Sequence, residues 1–263
     1  MFPLKDDIPT RRFPILTVAL IAINVVMFFG FQGAFFGTDQ NFEERVIEYG
    51  AIPYEVSHPG KGCEVSAPAQ ELICEGQEGV SGDAPGQPPT WLTVLTSMFM
   101  HGGLLHIAGN MLFLWIFGNN IEDSMGRGRF LAFYLLGGLA ALLAQVVIDP
   151  GAAVPTIGAS GAVAAVLGGY ALLYPRARVV TLIFIVIFFT VIELPALLVL
   201  GGWFLLQALN GASELATPVS GGGGGGVAYW AHIGGFVFGL AAIRLFANRV
   251  HDDYERAHRL PVY

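Results

Sequence analysis

Four polar side chains interrupt apolar stretches of this chain, and their types suit acyl transfer. His106 and Asn110 stand four residues apart, so they share one face of a helix. Ser160 opens a second apolar stretch, and His232 opens a third. A serine hydroxyl becomes nucleophilic when a base removes its proton, and His232 is the candidate base. His106, Asn110 and the Ser160 backbone N–H are candidate donors to the oxyanion of a tetrahedral intermediate.

The composition indicates that a membrane surrounds the elements carrying these residues. Hydrophobic residues make up 54% of the 263 residues and charged residues 13%, against about 25% charged in soluble proteins. The net charge of -7 excludes a nucleic-acid binder, because there is no basic stripe to meet a phosphate backbone. The fold class predicted is all-α, a polytopic membrane protein with a six-helix bundle.

Charge-free windows of about 20 residues predict six membrane spans. These lie at 14–36, 104–121, 130–148, 156–174, 191–209 and 227–247. Trp91–Met100 is interpreted as a membrane-skimming piece, and 179–190 as an interfacial or tilted extension. Of the 13 Lys and Arg residues, all but Arg45 and Lys61 fall on one side of this alternation. That side is cytoplasmic by the positive-inside rule, so both termini are expected in the cytoplasm and the protein in the cell (inner or plasma) membrane.

This topology divides the chain into five predicted parts. They are a cytoplasmic N-terminal segment (1–13), the first span (14–36), an acidic extracytoplasmic loop (37–90), a catalytic core with five further spans (91–247) and a cytoplasmic tail (248–263). The loop carries both cysteines, Cys63 and Cys74. An oxidising compartment favours a disulfide between them, with two free thiols as the alternative. Two cysteines and a nearby histidine are too few for a closed zinc site, so no metal is expected.

Three of the polar residues are expected at one depth in the membrane. Asn110, Ser160 and His232 each lie four to six residues into a span that enters from the outer side, roughly 6–9 Å below that surface. No carboxylate occurs at that depth to orient His232, so a Ser–His dyad is expected and not a triad. Each residue also has a structural reading, as a packing serine, a hydrogen-bonding histidine or an asparagine that joins helices.

Small residues predict which helices meet. The fourth span has Ser160, Ala164 and Gly168 at four-residue spacing, and the sixth has Gly235 and Gly239 as a GxxxG pair. If these faces pack together, Ser160 and His232 come within reach of each other. Glu122, at the inner end of the second span, is interpreted as structural, bonding another helix end or a loop.

The motifs in combination resemble the rhomboid family of intramembrane serine proteases, bacterial type, over about 90–247 plus the first span. They are His101-Gly-Gly-Leu-Leu-His106-Ile-Ala-Gly-Asn110, Gly118-Asn-Asn-Ile-Glu122-Asp, Gly158-Ala-Ser160-Gly161 and Ala231-His232-Ile-Gly-Gly235-Phe-Val-Phe-Gly239. The resemblance implies Ser160 as nucleophile and His232 as general base. It implies that Gly158, in the Gly-x-Ser-Gly turn, borders an oxyanion site formed by His106, Asn110 and the Ser160 amide.

The resemblance further implies a serine endopeptidase that hydrolyses peptide bonds in or near transmembrane segments. Its partners would be transmembrane protein substrates and the lipid bilayer, with no nucleic acid, metal or cofactor. Trp203 and Phe204 in the fifth span are candidate gate residues, with lipid-facing bulk as the alternative. Ala164 departs from members that carry an aromatic there to stack on the histidine, so His232 is expected to be held either less firmly or by another ring. The alternative functions are a catalytically inactive rhomboid-like protein that binds transmembrane clients, and a small transporter or channel.

Overall fold

The computed structural model describes residues 2–34, 37–66, 71–77, 88–185, 188–216 and 227–248. The run of six glycines at 221–226 and almost all of the predicted tail lie outside these ranges. The described chain is mostly helical. Its α-helices are α1 Ile15–Val26, α2 Asp39–Tyr49, α3 Pro53–Ser57, α4 Thr90–Thr96, α5 Leu104–Phe113, α6 Asn119–Met125, α7 Arg127–Ile148, α8 Ser160–Leu173, α9 Ala196–Ala216 and α10 Tyr229–Phe246.

Helices α5 and α6 form one continuous rod, because the π-helical turn Leu114–Gly118 joins them. Within the described ranges, four helical segments are long and apolar enough to cross a membrane: Leu104–Met125, α7, α9 and α10. Ile15–Phe31 and α8 are apolar but shorter than a typical span. The chain is therefore a multi-spanning helical protein, and the count of six spans stays a prediction.

Helix α8 is the centre of the bundle. Every residue from Gly161 to Ala171 is buried, and α7 and α10 pack closely along it. A helix that is apolar on all sides is typical of a protein interior, whereas a helix at the bundle surface needs one buried face only. The bundle therefore surrounds α8 on its sides and leaves its two ends open to loops.

A β-sheet at one end of the bundle corrects the all-helical prediction. The strands β1 (Phe2–Asp6), β4 (Arg178–Ile185) and β5 (Phe188–Pro195) form an antiparallel sheet in the order β1-β4-β5. The described residues of the predicted interfacial stretch 179–190 therefore lie in the paired strands β4 and β5. The predicted fifth span at 191–209 is wrong at its start, since α9 begins only at Ala196. Valine, isoleucine, threonine and phenylalanine fill both strands, and these residues favour strands.

Three other parts of the chain meet at the same end of the bundle: the N-terminal segment, the α6–α7 junction and the end of α10. The Arg11 backbone N–H donates to Asp123 at 2.8 Å, and the Asn248 N–H donates to the Ser124 carbonyl at 3.0 Å. Asp6 is buried there and accepts hydrogen bonds from Asn120 and the Tyr170 hydroxyl, both at 2.6 Å. Burial raises the pKa of the Asp6 carboxyl to about 6.

Glu122 fastens α1 to this end, as its structural interpretation anticipated. Its buried carboxylate accepts from the Leu16 N–H at 3.1 Å and from the Thr17 N–H and hydroxyl at 2.8 Å each. These N–H groups belong to the first turn of a helix and have no partner within it. Glu122 therefore acts as an N-terminal cap supplied by another helix.

The described part of the outer loop is an ordered unit at the opposite end of the bundle. Strands β2 (Cys63–Ser66) and β3 (Glu71–Cys74) pair antiparallel, with Cys63 opposite Cys74 and bonded to it in a disulfide. Burial raises the pKa of Glu55, which accepts a hydrogen bond from the Cys63 N–H. The unit contacts the segment before α8, since the Tyr54 N–H donates to the Ala152 carbonyl at 3.0 Å.

Candidate active site

Ser160 is the first residue of α8, and a glycine in an unusual conformation precedes it. Gly158 has φ of +121°, which a residue with a side chain rarely adopts. A Cβ atom built on Gly158 would lie 2.7 Å from His106 Nε2 and 3.2 Å from Ser160 Oγ. The His106 ring and the Ser160 hydroxyl therefore border one small space, which only glycine leaves open. The Gly158 N–H donates to the Ser97 carbonyl at 2.9 Å and fixes this turn.

Helices α8 and α10 cross closely through the small residues that the sequence singled out. A Cβ on Gly235 would collide with the carbonyl of Gly161, and one on Gly239 with the carbonyl of Ala165. This confirms the predicted contact between the two small-residue faces. Because Gly161 follows Ser160 and Gly235 lies one turn after His232, the crossing brings the serine and the histidine to the same end of the helix pair.

His232 lies in the first turn of α10, where it is buried. Its Nδ1 atom is 2.8 Å from Oε1 of Gln207 on α9. The Trp203 ring lies 5.6 Å from the His232 ring, tilted by 37°. Two residues of α9 thus hold the imidazole, although Ala164 leaves it without an aromatic neighbour from α8.

The hydroxyl of Ser160 makes no hydrogen bond to His232 within the described ranges. Since Gln207 engages Nδ1, the nitrogen left for Ser160 is Nε2. The structure therefore brings together α8 and α10, which carry the predicted dyad. The Ser160 and His232 side chains are not hydrogen-bonded to each other in the part of the chain that the structure describes. In enzymes without bound substrate such catalytic hydrogen bonds are often long and tighten when substrate binds.

Two further candidate donors, His106 and Asn110, lie on α5. The Gly102 N–H donates to His106 Nδ1 at 3.3 Å, so a neutral His106 ring carries its proton on Nε2, the atom that faces Gly158. Asn110 is buried, and its side-chain Nδ2 has no hydrogen-bond partner among the residues that the structure describes. A buried amide donor without a hydrogen-bond partner costs free energy. Such a donor calls for an explanation, and a site where a bound group accepts the hydrogen bond is one.

His101 packs against His106, and Gln32 in turn holds His101. The sequence pattern did not identify Gln32. The Gln32 side chain donates to the His101 carbonyl and accepts from the His101 N–H, both at 2.9 Å. The His101 ring meets the His106 ring edge to face at 5.1 Å. Gln32, at the end of the first apolar helix, was detectable as an amide in a stretch free of charges.

Trp203 and Phe204 both face α10. Phe204 stacks on Phe236 with ring centroids 4.6 Å apart, and Trp203 lies 6.2 Å from the same ring. Both side chains are only partly exposed. Their packing argues against purely lipid-facing bulk, and their role as a gate stays a prediction. Gln207, one turn further along α9, was not predicted as a site residue, although it is an amide in an apolar helix.

The fold and this cluster define a helical membrane protein with a serine at the start of its central helix and a histidine on the helix that crosses it. Residues 88–249 match the family model described as the Rhomboid domain. The chain therefore belongs to the rhomboid family.

Curated relatives agree with this assignment. The chain is 38% identical over 109 residues to the Rhomboid protease GluP of Bacillus subtilis (strain 168). The aligned region covers 41% of this chain and 20% of that protein. It is 29% identical over 155 residues to the mitochondrial Rhomboid protein 1 of Saccharomyces cerevisiae, covering 57% and 40%. It is 36% identical over 87 residues to the mitochondrial Presenilin-associated rhomboid-like protein of Homo sapiens, covering 32% and 23%. The chain thus matches less than half the length of each of these relatives.

Proposed function

We propose that this protein is an intramembrane serine endopeptidase that hydrolyses peptide bonds in or near transmembrane segments of other membrane proteins. Ser160 is the nucleophile, and His232 is the general base. The observation that carries the proposal is the close crossing of α8 and α10, where Gly235 meets the Gly161 carbonyl one residue from Ser160 and one turn from His232. Membership of the rhomboid family and similarity to a protein named a rhomboid protease support it.

In the proposed reaction, His232 Nε2 takes the Ser160 proton as Oγ attacks the carbonyl carbon of the scissile bond. The oxyanion that forms accepts hydrogen bonds from His106 Nε2, Asn110 Nδ2 and the Ser160 N–H. The protonated His232 then gives its proton to the leaving nitrogen, and the C–N bond breaks. Water, deprotonated by His232, attacks the acyl-enzyme carbonyl carbon; the protonated His232 then returns the proton to Ser160 Oγ as the ester bond breaks and the second product leaves.

We also propose that the substrate reaches Ser160 sideways past α9, near Trp203 and Phe204. Among the four candidate spans of the described chain, α9 has the smallest buried share, 22%. Leu205, Leu206 and Leu209 expose more than half of their surface on it. A helix with few buried contacts is the element that separates most readily from its neighbours.

The proposed location is a multi-pass position in a cell (inner or plasma) membrane, with both termini in the cytoplasm. The basic residues at one end of the bundle support this orientation. Reporter fusions at residue 13 and after residue 248 test it, because both fusions should be protected from protease added to the outer side. Two of the relatives are named as mitochondrial, so the membrane itself is checked by fractionation of the native cells.

The decisive experiment measures cleavage and fluorophosphonate labelling of the full-length protein in detergent and in liposomes. The substrates are single-pass fusions whose transmembrane segment carries small residues followed by a helix-weakening glycine or proline. Wild type should cleave and label. Ser160→Ala should abolish both, and His232→Ala should lower cleavage by at least about 10³-fold.

The matched controls are Ser57→Ala and His58→Ala, the same two changes made in the described part of the outer loop. Both should keep wild-type cleavage. Cleavage that survives Ser160→Ala would overturn the proposal. A folded wild type that neither cleaves nor labels would contradict it as well and favour the inactive, client-binding alternative. Capture of the uncleaved fusion by wild type and Ser160→Ala alike would then distinguish binding from transport.

A further inference from the structure

The His232 ring has a neutral partner on its far side, where hydrolases with a catalytic triad have a carboxylate. Gln207 Oε1 lies 2.8 Å from His232 Nδ1, although the two residues are 25 apart in the sequence and on different helices. The carbonyl oxygen of an amide accepts hydrogen bonds only. With Oε1 in this position, Nδ1 must carry the proton.

The position of that proton decides whether His232 can act as a base. A neutral imidazole has one N–H and one bare nitrogen. With the proton held on Nδ1, the bare nitrogen is Nε2, which is the one left free to receive a proton from Ser160. The opposite tautomer presents an N–H to the serine and cannot accept its proton.

We propose that Gln207 is the positioning residue for His232, fixing its tautomer and ring orientation for proton transfer from Ser160. This inference rests on the proposed function, since it assigns Gln207 a part in that reaction. A neutral amide suits this depth, because a carboxylate within the membrane carries a large desolvation cost. The site is thus a Ser–His dyad oriented by a glutamine.

The indole ring of Trp203 also lies against the His232 imidazole, and Trp203 is on α9 like Gln207. Trp203 and Gln207 are four residues apart on α9, so both project from one face, and both contact His232. Movement of α9 away from α10 would break the two contacts together. Both contacts therefore require α9 to lie against α10 when the proton is transferred.

The first test compares Gln207→Leu, Gln207→Glu and wild type in the cleavage assay, over a range of pH. Gln207→Leu removes the acceptor at similar size and should lower kcat on the order of 10²-fold with KM within about twofold. Gln207→Glu keeps an acceptor oxygen and should recover much of kcat. It should also move the acid limb of the pH profile to higher pH, because a carboxylate stabilises the protonated ring.

Asn210→Leu is the matched control, an exposed amide on the same helix replaced in the same way. It should leave kcat, KM and the pH profile unchanged. A wild-type kcat in Gln207→Leu would overturn the inference. Equal losses in Gln207→Leu and Gln207→Glu, with matching losses of thermal stability and no shift of the pH profile, would also overturn it by showing a purely structural role.

A second measurement does not depend on catalysis. Nitrogen NMR of ¹⁵N-histidine-labelled Ser160→Ala protein, with the His232 signals assigned by their loss in Ser160→Ala/His232→Ala, reports which ring nitrogen carries the proton. The expected result is a proton on Nδ1, which becomes mixed between the two nitrogens in Gln207→Leu. A proton on Nε2 while Gln207 is present would refute the inference. If wild type shows no cleavage, the proposed function fails, and this spectrum still judges the role of Gln207.

Discussion

Gly235→Ala tests whether the crossing of α8 and α10 sets the geometry of the candidate site. The new Cβ would collide with the Gly161 carbonyl and would also lie 3.2 Å from the Cβ of Ala164. Real Cβ atoms essentially never approach closer than 3.0 Å. Both partners belong to the rigid helix α8 and neither is a flexible side chain, so the helices must separate by about 1 Å.

The displacement reaches both catalytic candidates almost undiminished. Gly161 is bonded directly to Ser160, and Gly235 is one turn from His232. Overpacking of this kind destabilises a protein by roughly 1–3 kcal/mol. A misplacement of about 1 Å between reacting groups lowers the rate on the order of 10²-fold. We therefore expect a moderate loss of thermal stability and a large loss of kcat.

The assay combines steady-state cleavage in liposomes with thermal unfolding in detergent. Gly128→Ala is the neutral control, since Gly128 is a helical glycine with open space around the Cβ position. Gly239→Ala is the second comparison, because its Cβ would collide with the Ala165 carbonyl one turn further from the site. It should cost similar stability and less kcat than Gly235→Ala.

Two results would refute this reasoning. Wild-type stability and kcat in Gly235→Ala would show that the helices are not in close contact at this point. Equal losses of kcat in Gly235→Ala and Gly239→Ala, at equal loss of stability, would show that activity follows overall folding and not the local distance between Ser160 and His232.

Three further predictions concern the elements around the site. Glu122→Leu removes the acceptor of the Leu16 and Thr17 donors and should lower the free energy of unfolding by about 2–4 kcal/mol, with Glu122→Gln intermediate, as measured by thermal unfolding. Burial raises the pKa of Asp6 from 3.8 to about 6, so folding is favoured below about pH 4 and loses up to about 3 kcal/mol as the pH rises through 6. Asp6→Asn should flatten that slope in unfolding experiments at several pH values. Replacing both disulfide cysteines of β2 and β3 by serine should destabilise the outer unit by about 3 kcal/mol, seen as faster proteolysis there while cleavage of the substrate fusion is retained.

The sequence predicted the contact between α8 and α10 better than it predicted the elements that lie between these helices along the chain. Small residues at four-residue spacing on two apolar segments indicate a close helix pair, and the structure has that contact between Gly235 and Gly161. Polar residues in an apolar segment are few enough to be singled out one by one. Both signals are local, and each needs only the assumption that the segment is a helix.

The hairpin of β4 and β5 was missed because its signal is ambiguous. A continuous apolar run does not separate a buried strand from a helix by periodicity, and within a membrane protein the helix is the natural expectation. The β-branched residues Val179, Val180 and Thr181 were the available clue. Gln207 was missed for another reason. Its partner is 25 residues away, beyond the glycine run, so no pattern along the chain joins it to His232.

Helix α8 is shorter than a typical membrane span. Its 14 residues span about 21 Å, against a hydrocarbon core of about 30 Å. In the predicted orientation the exposed Arg176 lies at the inner end, so the missing 9 Å or so would fall at the outer end, in the segment 149–159. The depth of Ser160 itself, roughly 6–9 Å below the outer surface when counted from the predicted spans, stays a prediction.

Irregular backbone that continues a membrane-embedded helix must find its hydrogen bonds within the protein, because lipid offers none. The outer unit and the 3₁₀ turn Ser97–Phe99 after α4 supply these hydrogen bonds. The Thr156 N–H donates to the Ala51 carbonyl at 2.8 Å, and the Gly158 N–H donates to the Ser97 carbonyl at 2.9 Å. The outer unit is therefore part of what allows α8 to begin deep in the bundle. Loosening it, as the cysteine replacement does, should first expose the segment before Ser160 to hydrogen exchange and leave the core of α8 protected.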